Sequence, residues 1–298
     1  MLRTVADLDL RLLRIFSVVV QCQGFSAAQA QLNMSQSSIS MHISALEKRL
    51  GYRLCERGKS GFSVTEKGQR ILAASATLFA AADAFRDQAQ ALTGRLVGEV
   101  RLGLTDNIAT LPSAHIDAAI ARFYERAPDT QLHLHVDSPP QLEQRVIDGQ
   151  LDLAVSYFNR TLPSLDYQPL YREAIGVFCG EGHRLYAAAQ VDRAQLQAAD
   201  WIRHGFLLPG EPLPLTPQRS SASAQHMEAV AHALLAGTHL GYLPLHYAQG
   251  WVGSGRLREL EPASLRYDVE HRLITRVGQA PSEAVRAFIA DLQAVHPG

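Results

Sequence analysis

The stretch 24–51, GFSAAQAQLNMSQSSISMHISALEKRLG, constrains the fold more than any other part of the chain, because it spells two short helices meeting at a tight corner. The spacing predicts a first helix over about residues 25–32, with Phe25, Ala28 and Leu32 on one face. Asn33 follows where the chain must turn, and Asn tolerates the left-handed conformation better than most non-glycine residues. Ser35 then suits an N-cap, its hydroxyl accepting from an unpaired amide of the next turn. The second helix carries Ile39, Ile43, Leu46 and Leu50 as one apolar stripe with a period of about 3.6. Ser37, Met41, Ser44 and Lys48 fall on the opposite face, flanked by Gln36, Ser38 and Ser40. Such a face suits a DNA major groove, since Gln bonds adenine in bidentate fashion, Ser reaches bases or phosphates, and Met can touch a thymine methyl. A helical hairpin whose polar side is merely wet is the other reading of this stretch alone.

The sequel weakens that second reading. In GYRLCERGKSGFSVTEKG (51–68), two short strands are expected at 54–57 and 62–65 around Gly58, Lys59, Ser60 and Gly61. A basic hairpin directly behind the helix makes a winged DNA-binding head, with the helix in the groove and the ribbon against the backbone. The expected contacts are Ser35, Gln36, Ser37, Ser38, Ser40, Met41, His42, Ser44 and Lys48 from the helix. The ribbon side adds Arg53, Arg57, Lys59 and Ser60.

Residues 8–70 resemble the N-terminal domain of LysR-type transcriptional regulators. The matching positions are Phe16, Phe25, Ala28, Leu32, Ser35, Gln36, Ser40, Ile43, Leu46, Glu47, Leu50, Gly51, Leu54, Glu56, Arg57, Thr65 and Gly68. Three positions depart from the pattern. Gln29 replaces a small residue, Met41-His42 stand where Arg-Gln is common, and Cys55 replaces an aromatic residue at the start of the wing. The second departure touches the reading face, so no operator preference transfers; the other two concern packing.

Charge separates the head from the body. Residues 1–95 hold 12 Lys+Arg against 7 Asp+Glu, and residues 96–298 hold 16 against 22, which together give the net charge of −1. All three lysines (Lys48, Lys59, Lys67) lie in the first part, as expected of a polyanion-binding head on a body that does not bind nucleic acid. Cys22, Cys55 and Cys179 show no pairing pattern, which points to a reducing cytoplasm and to three small hydrophobes. The apolar run 15–20 is too short to span a membrane, and no signal-peptide layout precedes it, so no membrane partner is expected.

Residues 8–21 read as an amphipathic helix with Leu12, Leu13, Phe16, Val19 and Val20 toward the core. Farther on, Ile71, Ser75, Leu78, Ala82, Phe85, Ala89, Leu92 and Leu96 recur at alternating spacings of 4 and 3, a seam of period about 3.5. That seam favours a partner helix over packing on the chain's own body, and the resemblance also implies dimerisation there. Two heads on a two-fold axis would read the half-sites of a dyad-symmetric operator.

Beyond residue 97 strands alternate with helices, predicting βαβ units and a mostly parallel sheet. Strands are expected at 100–104, 132–136, 151–157, 174–179, 201–204, 240–243 and 269–275. Helices are expected at 111–126, 141–147, 193–198, 225–236 and 282–295. Residues 97–298 resemble the two-lobed, type 2 periplasmic-binding-protein-like effector domain of LysR-type regulators, through LEQRVIDGQLDLAV (142–155), PLYREAIGVFCGEGHRL (169–185) and ALLAGTHLGYLP (233–244). The expected fold is therefore an α/β chain with an α-rich head. A winged helix-turn-helix occupies 1–65, a dimerisation linker helix 66–96, and an effector-binding domain 97–298. Its first lobe would be 97–168 with 269–298 and its second 169–268, hinged near 168–171 and 265–268.

Ligands of open parallel sheets sit past the carboxyl ends of the strands. That rule selects Thr105, Asp106, Asn107, Ser138 and Tyr157 from the first lobe, with Arg203 and His204 from the second. The same rule also selects Asp137 and Ser156. A small carboxylate would suit the hydroxyls, helix N-termini and Arg203, whereas Asp106 would take an amine. The Pro-rich stretch 207–218 reads as a surface loop. Competing chemistries find little support: His133, His135 and Asp137 have metal-ligand spacing but no further cluster, Gly253-Ser254-Gly255 is not a nucleophile elbow, and no phosphate-binding glycine motif follows a strand. No metal, cofactor or catalytic residue is expected. The resemblance implies a regulator binding double-stranded DNA as a homodimer or homotetramer, modulated by a small molecule and working with RNA polymerase. The alternative is a small-molecule-binding or enzymatic α/β protein that uses its helical head for assembly.

Overall fold

In the computed structural model, which describes residues 6–58, 61–91, 96–205, 213–278 and 280–296, the apolar stripes near the N-terminus become packed helices. They are α1 (Asp7–Gln21), α2 (Ala28–Leu32) and α3 (Gln36–Leu50), followed by the ribbon β1 (Cys55–Gly58) and β2 (Gly61–Val64). Ile39, Ile43 and Leu46 of α3 are buried against Leu12, Leu13, Phe16 and Val19 of α1. Ile15 and Asp9 are buried as well, which the stripe on α1 did not indicate. Asp9 pairs with Arg49 through two guanidinium bonds, one of them Nη2 to Oδ2 at 2.7 Å, which fixes α1 to the end of α3. These bonds hold the Asp9 carboxyl below its ordinary value against the opposing effect of burial. The first motif helix is shorter than its stripe, because residues 25–27 form turns, yet Phe25 still packs edge-on to Phe62 at 5.7 Å.

The long helix α4 (Glu66–Ala91) leaves the ribbon through a tight junction. The Thr65 hydroxyl donates to the Arg53 carbonyl at 3.0 Å and accepts the Gly68 amide at 2.9 Å. A Cβ on Gly68 would stand 2.0 Å from the Leu54 carbonyl oxygen, so only glycine fits there. Ile71, Leu72 and Phe79 pack onto the head core, and Ser75 is buried. Leu78, Ala82 and Phe85 point outward, with Phe85 73% exposed. Leu96, expected as the last seam residue, lies outside α4 and packs on the core of the second unit. Leu92 falls outside the described residues.

Met1–Phe85 and Arg86–Gly298 form two compact units. The second is built on one sheet with the path β4-β3-β5-β11-β6-β9-β7-β8. Its elements are β3 (Val97–Leu104), α5 (Ile116–Arg126), β4 (Asp129–Val136), α6 (Pro139–Ile147), β5 (Leu153–Tyr157) and β6 (Leu165–Gly180). Then come α7 (Arg193–Ala198), β7 (Asp200–His204), β8 (Arg219–Ala224), α8 (Met227–Leu235), β9 (Leu240–Pro244) and α9 (Leu245–Gly253). The chain closes with β10 (Leu257–Leu260), α10 (Pro262–Leu265), β11 (Tyr267–Arg276) and α11 (Glu283–Val295).

The sheet is mixed, which corrects the expectation of a mostly parallel one. β3 pairs in parallel with β4 and β5, and β7 with β8 and β9. Between these two parallel groups, β11 and β6 run antiparallel to each other and to their outer neighbours. The chain crosses between the groups twice in opposite senses, so its crossing strands meet head to tail. The expected crossovers at 168–171 and 265–268 are not loops: the first lies within β6, and the second spans the end of α10 and the start of β11. Two lobes follow from the packing. Val100, Leu102, Phe123 and Phe288 centre the first, while Trp201, Val177, Leu240 and Tyr242 belong to the second.

Gly68→Ala is expected to force the α4–wing junction apart. Overpacking of this kind costs about 1–3 kcal/mol. The head's thermal transition, followed by helix circular dichroism on the full chain, should fall while the effector-domain transition keeps its midpoint.

Candidate functional site

The head presents its polar face because the other face of α3 is consumed by packing. Asn33 turns the corner with φ 49° and ψ 45°, the left-handed conformation that Asn tolerates. Ser35 Oγ accepts the Ser38 amide at 3.2 Å, an N-cap, and lies within 3.0 Å of the Ser37 and Ser38 hydroxyls. Gln29 adds a second tie that sequence reasoning had assigned to packing: its Oε1 accepts the Gln36 amide at 3.2 Å, while Nε2 donates to the Ser26 carbonyl. A long amide where related heads hold a small residue was the visible signal. Gln36, Ser37, Met41, Ser44, Lys48 and Arg53 are exposed, Met41 by 63%. Ser38, Ser40 and His42 are half-buried on the flanks. Glu47 Oε1 accepts the Leu54 amide at 2.8 Å and the Cys55 amide at 3.3 Å, so α3 and the ribbon are held together from their shared corner. Lys59, Ser60 and the side chain of Arg57 lie outside the described residues.

In the effector unit, Thr105 is buried at the end of β3, Asp106 follows, and Asn107 takes a left-handed φ of 59°. Asp106 does not stand open to solvent. Its Oδ2 accepts the Met227 amide at 2.7 Å, capping α8 from the opposite lobe, and His226 Nδ1 lies 3.7 Å away. A carboxylate at a helix N-terminus meets both the unsatisfied amides and the positive end of the dipole. Ser138 is buried at the start of α6 and meets Gln141 Oε1 with both its hydroxyl and its amide, so that helix end is also satisfied internally.

Arg203 and His204 line a cavity of about 600 Å³ with Gly205, Thr216, Ser220, Ser223 and Gln225, all from the second lobe. Tyr157 lines a different cavity of about 250 Å³ with Pro139, Glu143 and Asn159. The structure thus distributes the selected residues over several places. Asp106 reaches across the lobes, and Tyr157 packs with the core of the second. His204 is buried and shares an electrostatic environment with Asp106, His226 and Glu173.

Three residues at the lobe crossing went unnoticed in the sequence. Glu173 on β6 is buried, with Oε1 bonded to His246 Nε2 at 2.7 Å and Oε2 to His271 Nε2 at 3.0 Å. Burial works to raise this carboxyl, but the two imidazole bonds outweigh it and keep it below its ordinary 4.5. His246 Nδ1 then meets the Thr110 hydroxyl at 2.8 Å. A single Glu on a strand that also holds Asp166, Gln168 and Arg172 carries no spacing signal, and its partners are remote in sequence.

The histidines that suggested a metal site do other work: Asp137 is paired with Arg145, whose Nη2 lies 3.3 Å from His135 Nδ1. Among the described residues, no group of three or more His, Cys, Asp or Glu is placed to hold a metal ion. Cys55 and Cys179 are buried and Cys22 half-buried; burial pushes the Cys179 thiol up to about 11. Among the described residues, no helix is long and apolar enough to cross a membrane.

A model described as "LysR substrate binding domain" matches residues 93–297, and "Bacterial regulatory helix-turn-helix protein, lysR family" matches residues 10–69. The chain is 38% identical over 288 residues to the HTH-type transcriptional activator BauR of Pseudomonas aeruginosa, covering 96% of this chain and 94% of that protein. It is 30% identical over 306 residues to the SDS degradation transcriptional activation protein of a Pseudomonas species, covering 97% and 98%. Among solved structures, a full-length OxyR variant from Pseudomonas aeruginosa superposes with a TM-score of 0.66 at 20% identity, covering 99% of this chain and 97% of that one. CbnR superposes with 0.65 at 17% identity, covering 97% and 99%, and CbnR complexed with its target DNA with 0.62 at 17%, covering 96% and 99%. At these identities the superpositions speak for the fold.

Burial of His204 generates a prediction. Burial pushes its imidazole down from 6.5 to about 4, with Asp106 pulling the other way. The unfolded chain therefore takes up this proton near 6.5 while the folded one resists until about 4. The unfolded state binds more protons in that window, so His204 lowers stability as pH falls through it and leaves stability unchanged above it. The ring signals of His204 in an NMR titration should stay fixed from about pH 8 to pH 5; movement centred near neutrality would contradict the burial argument.

Proposed function

The chain belongs to the LysR family of DNA-binding transcriptional regulators, and on that premise we propose which of its residues read DNA, answer a small molecule and join two copies. The observation that carries the reading is the capped helix α3, apolar on its buried side and lined outside by Gln36, Ser37, Met41, Ser44 and Lys48. In this reading Gln36 and Met41 contact base edges, with Ser37, Ser38, Ser40, His42 and Ser44 beside them. Ser35 positions the helix start. Lys48, Arg53, Arg57, Lys59 and Ser60 bear on the phosphates.

In this reading the head occupies 1–65, the dimerisation linker 66–96 with α4 as its helix, and the effector domain 97–298, with lobes 97–168 plus 269–298 and 169–268. The outward face of α4 at Leu78, Ala82 and Phe85 supports a homodimer through that helix, or a homotetramer built from such dimers, on a dyad-symmetric operator. RNA polymerase is the expected partner at the promoter, and the cytoplasm the place of action. These two relatives are named as transcriptional activators, and this chain is read in the same class rather than as an enzyme.

Thr105, Asp106, Asn107, Ser138, Tyr157, Arg203 and His204 are proposed to answer the effector. A small carboxylate suits Arg203 and the hydroxyls of Ser220 and Ser223 in the second-lobe cavity.

Two measurements test this. In an anisotropy titration against a selected duplex over a salt series, Lys48→Ala, Arg53→Ala and Lys59→Ala should each reduce the salt slope by about 0.9 per lost phosphate contact. Gln36→Ala should instead alter base preference; equal loss on the selected duplex and on random DNA would refute its role. For the effector, small acids that raise the melting temperature of the full chain should lose that effect in Arg203→Ala, and a preserved shift would remove Arg203 from the site.

A further inference from the structure

Two of the contacts already described join the lobes without using the cores. One is Asp106 on the Met227 amide. The other is a chain of four side chains, Thr110–His246–Glu173–His271, whose links measure 2.8, 2.7 and 3.0 Å. Thr110 closes a 3-10 turn whose Ile108 is buried in the first-lobe core. His246 opens α9, whose Ala248 is buried in the second lobe. Glu173 and His271 stand on the two crossing strands, so the lobes meet directly at Thr110–His246 and Glu173 ties that contact back to the crossing.

Its proton arrangement is fixed by chemistry. An ionised carboxylate only accepts, so both imidazoles must donate to Glu173 through Nε2. A neutral His246 is then left with an acceptor at Nδ1, which suits the Thr110 hydroxyl. Side chains of Glu173 and His271 are 5% and 0% exposed, so these bonds form where water offers no replacement. His271 also stacks on Tyr171 at 4.7 Å. Immediately after His271 the β11–β6 register slips, with Arg272 opposite Pro169. Proline has no amide to give a ladder, and a bulge is where a central strand can accommodate it and bend. The carboxylate therefore grips both strands beside the one irregularity in their recorded pairing.

We propose that Glu173 is the positioning residue that sets lobe closure, holding His246 for Thr110 and His271 against the bulge. This rests on the reading of residues 97–298 as a domain whose lobes respond to an effector. Glu173 touches no effector in this account; it determines how tightly the lobes close before one arrives. Loss of the Thr110 hydroxyl, or of the Glu173 carboxylate that holds His246 in place for it, releases the lobes while leaving both cores intact.

The Met227 amide is the reporter, because its bond to Asp106 crosses from lobe to lobe. Hydrogen exchange of the full chain, without DNA or ligand, is read at Met227 and at Leu273 and Ile274 on the crossing. Thr110→Val removes the hydroxyl at an exposed position. It should speed Met227 exchange about threefold to tenfold, the range for one lost hydrogen bond. Protection at Leu273 and Ile274 should be unchanged, and Thr110→Ser should restore the natural rate. Glu173→Gln, which presents an amide donor to one imidazole, should speed Met227 likewise. Unchanged Met227 exchange in Thr110→Val overturns the proposal. So does a Glu173→Gln variant that loses protection equally at Met227, Leu273 and Ile274, since the residue would then be merely structural. Neither result touches DNA binding, so the regulator reading stands or falls separately on the salt series.

Discussion

The pairing of β6 with β11 governs the effector unit. Every residue of β11 faces a partner on β6, from Tyr267 opposite Ile175 to Arg276 opposite Leu165. A chain that crosses twice between two apolar cores must satisfy its backbone groups on the way, and buried N–H and C=O groups left alone are costly. By crossing in opposite directions side by side, the two segments supply each other's partners. The mixed sheet is a consequence, because each parallel group must attach to an antiparallel ribbon. So is the placement of the cleft, since the carboxyl ends of β3 and β7 are brought into proximity by strands that belong to neither lobe alone. A ribbon paired throughout can bend or twist, most readily at its bulge, but it cannot come apart without opening a ladder.

The head meets a different constraint. A small unit buries a smaller share of its chain and has less apolar area to stabilise it. Here polar ties supplement the core at each junction: Asp9 with Arg49 between α1 and α3, Glu47 with the ribbon, and Thr65 with the start of α4. Two of these ties engage α3, through Arg49 and Glu47 in its last turn, and the third lies beyond it. The outward side of α3 is left exposed, Met41 above all. A large apolar side chain kept in water at the middle of a capped helix is understandable when that helix has a partner to meet.

Periodic features were legible in the sequence, and singular ones were not. The stripe of Ile39, Ile43 and Leu46, the turn at Asn33 and the cap at Ser35 all follow from local chemistry, and each stands where expected. The strands β8 and β10 and helix α9 were missed. RSSASA lacks an apolar face, LREL is short, and LHYAQGWVG contains two glycines that argue against a helix. These elements exist because neighbours pair with them or bury them, which is tertiary information. The seam on α4 was extended too far, because Leu96 fits the heptad arithmetic although the helix is recorded only to Ala91. Residue spacing reports which face is apolar and says nothing about whether its cover is the same chain or another.

The cleft shows why selecting residues at strand ends is not enough to name a ligand. The rule found Asp106 and Ser138 correctly as residues at strand ends, yet both are engaged with helix N-termini of the protein itself. An anion approaching α8 would compete with Asp106 for the Met227 amide, and would loosen the lobes as it bound. A ligand seated around Arg203 in the second-lobe cavity has no such competitor among the contacts recorded there. A ligand shifts an equilibrium only by its difference in affinity between two states. A carboxylate at α8 would therefore favour opening, whereas the same carboxylate held by second-lobe residues alone would leave closure where it was. If closure is coupled to DNA affinity, reciprocity requires DNA to change ligand affinity by the same factor. The presence of that change then distinguishes a ligand that displaces Asp106 from one held within the second lobe.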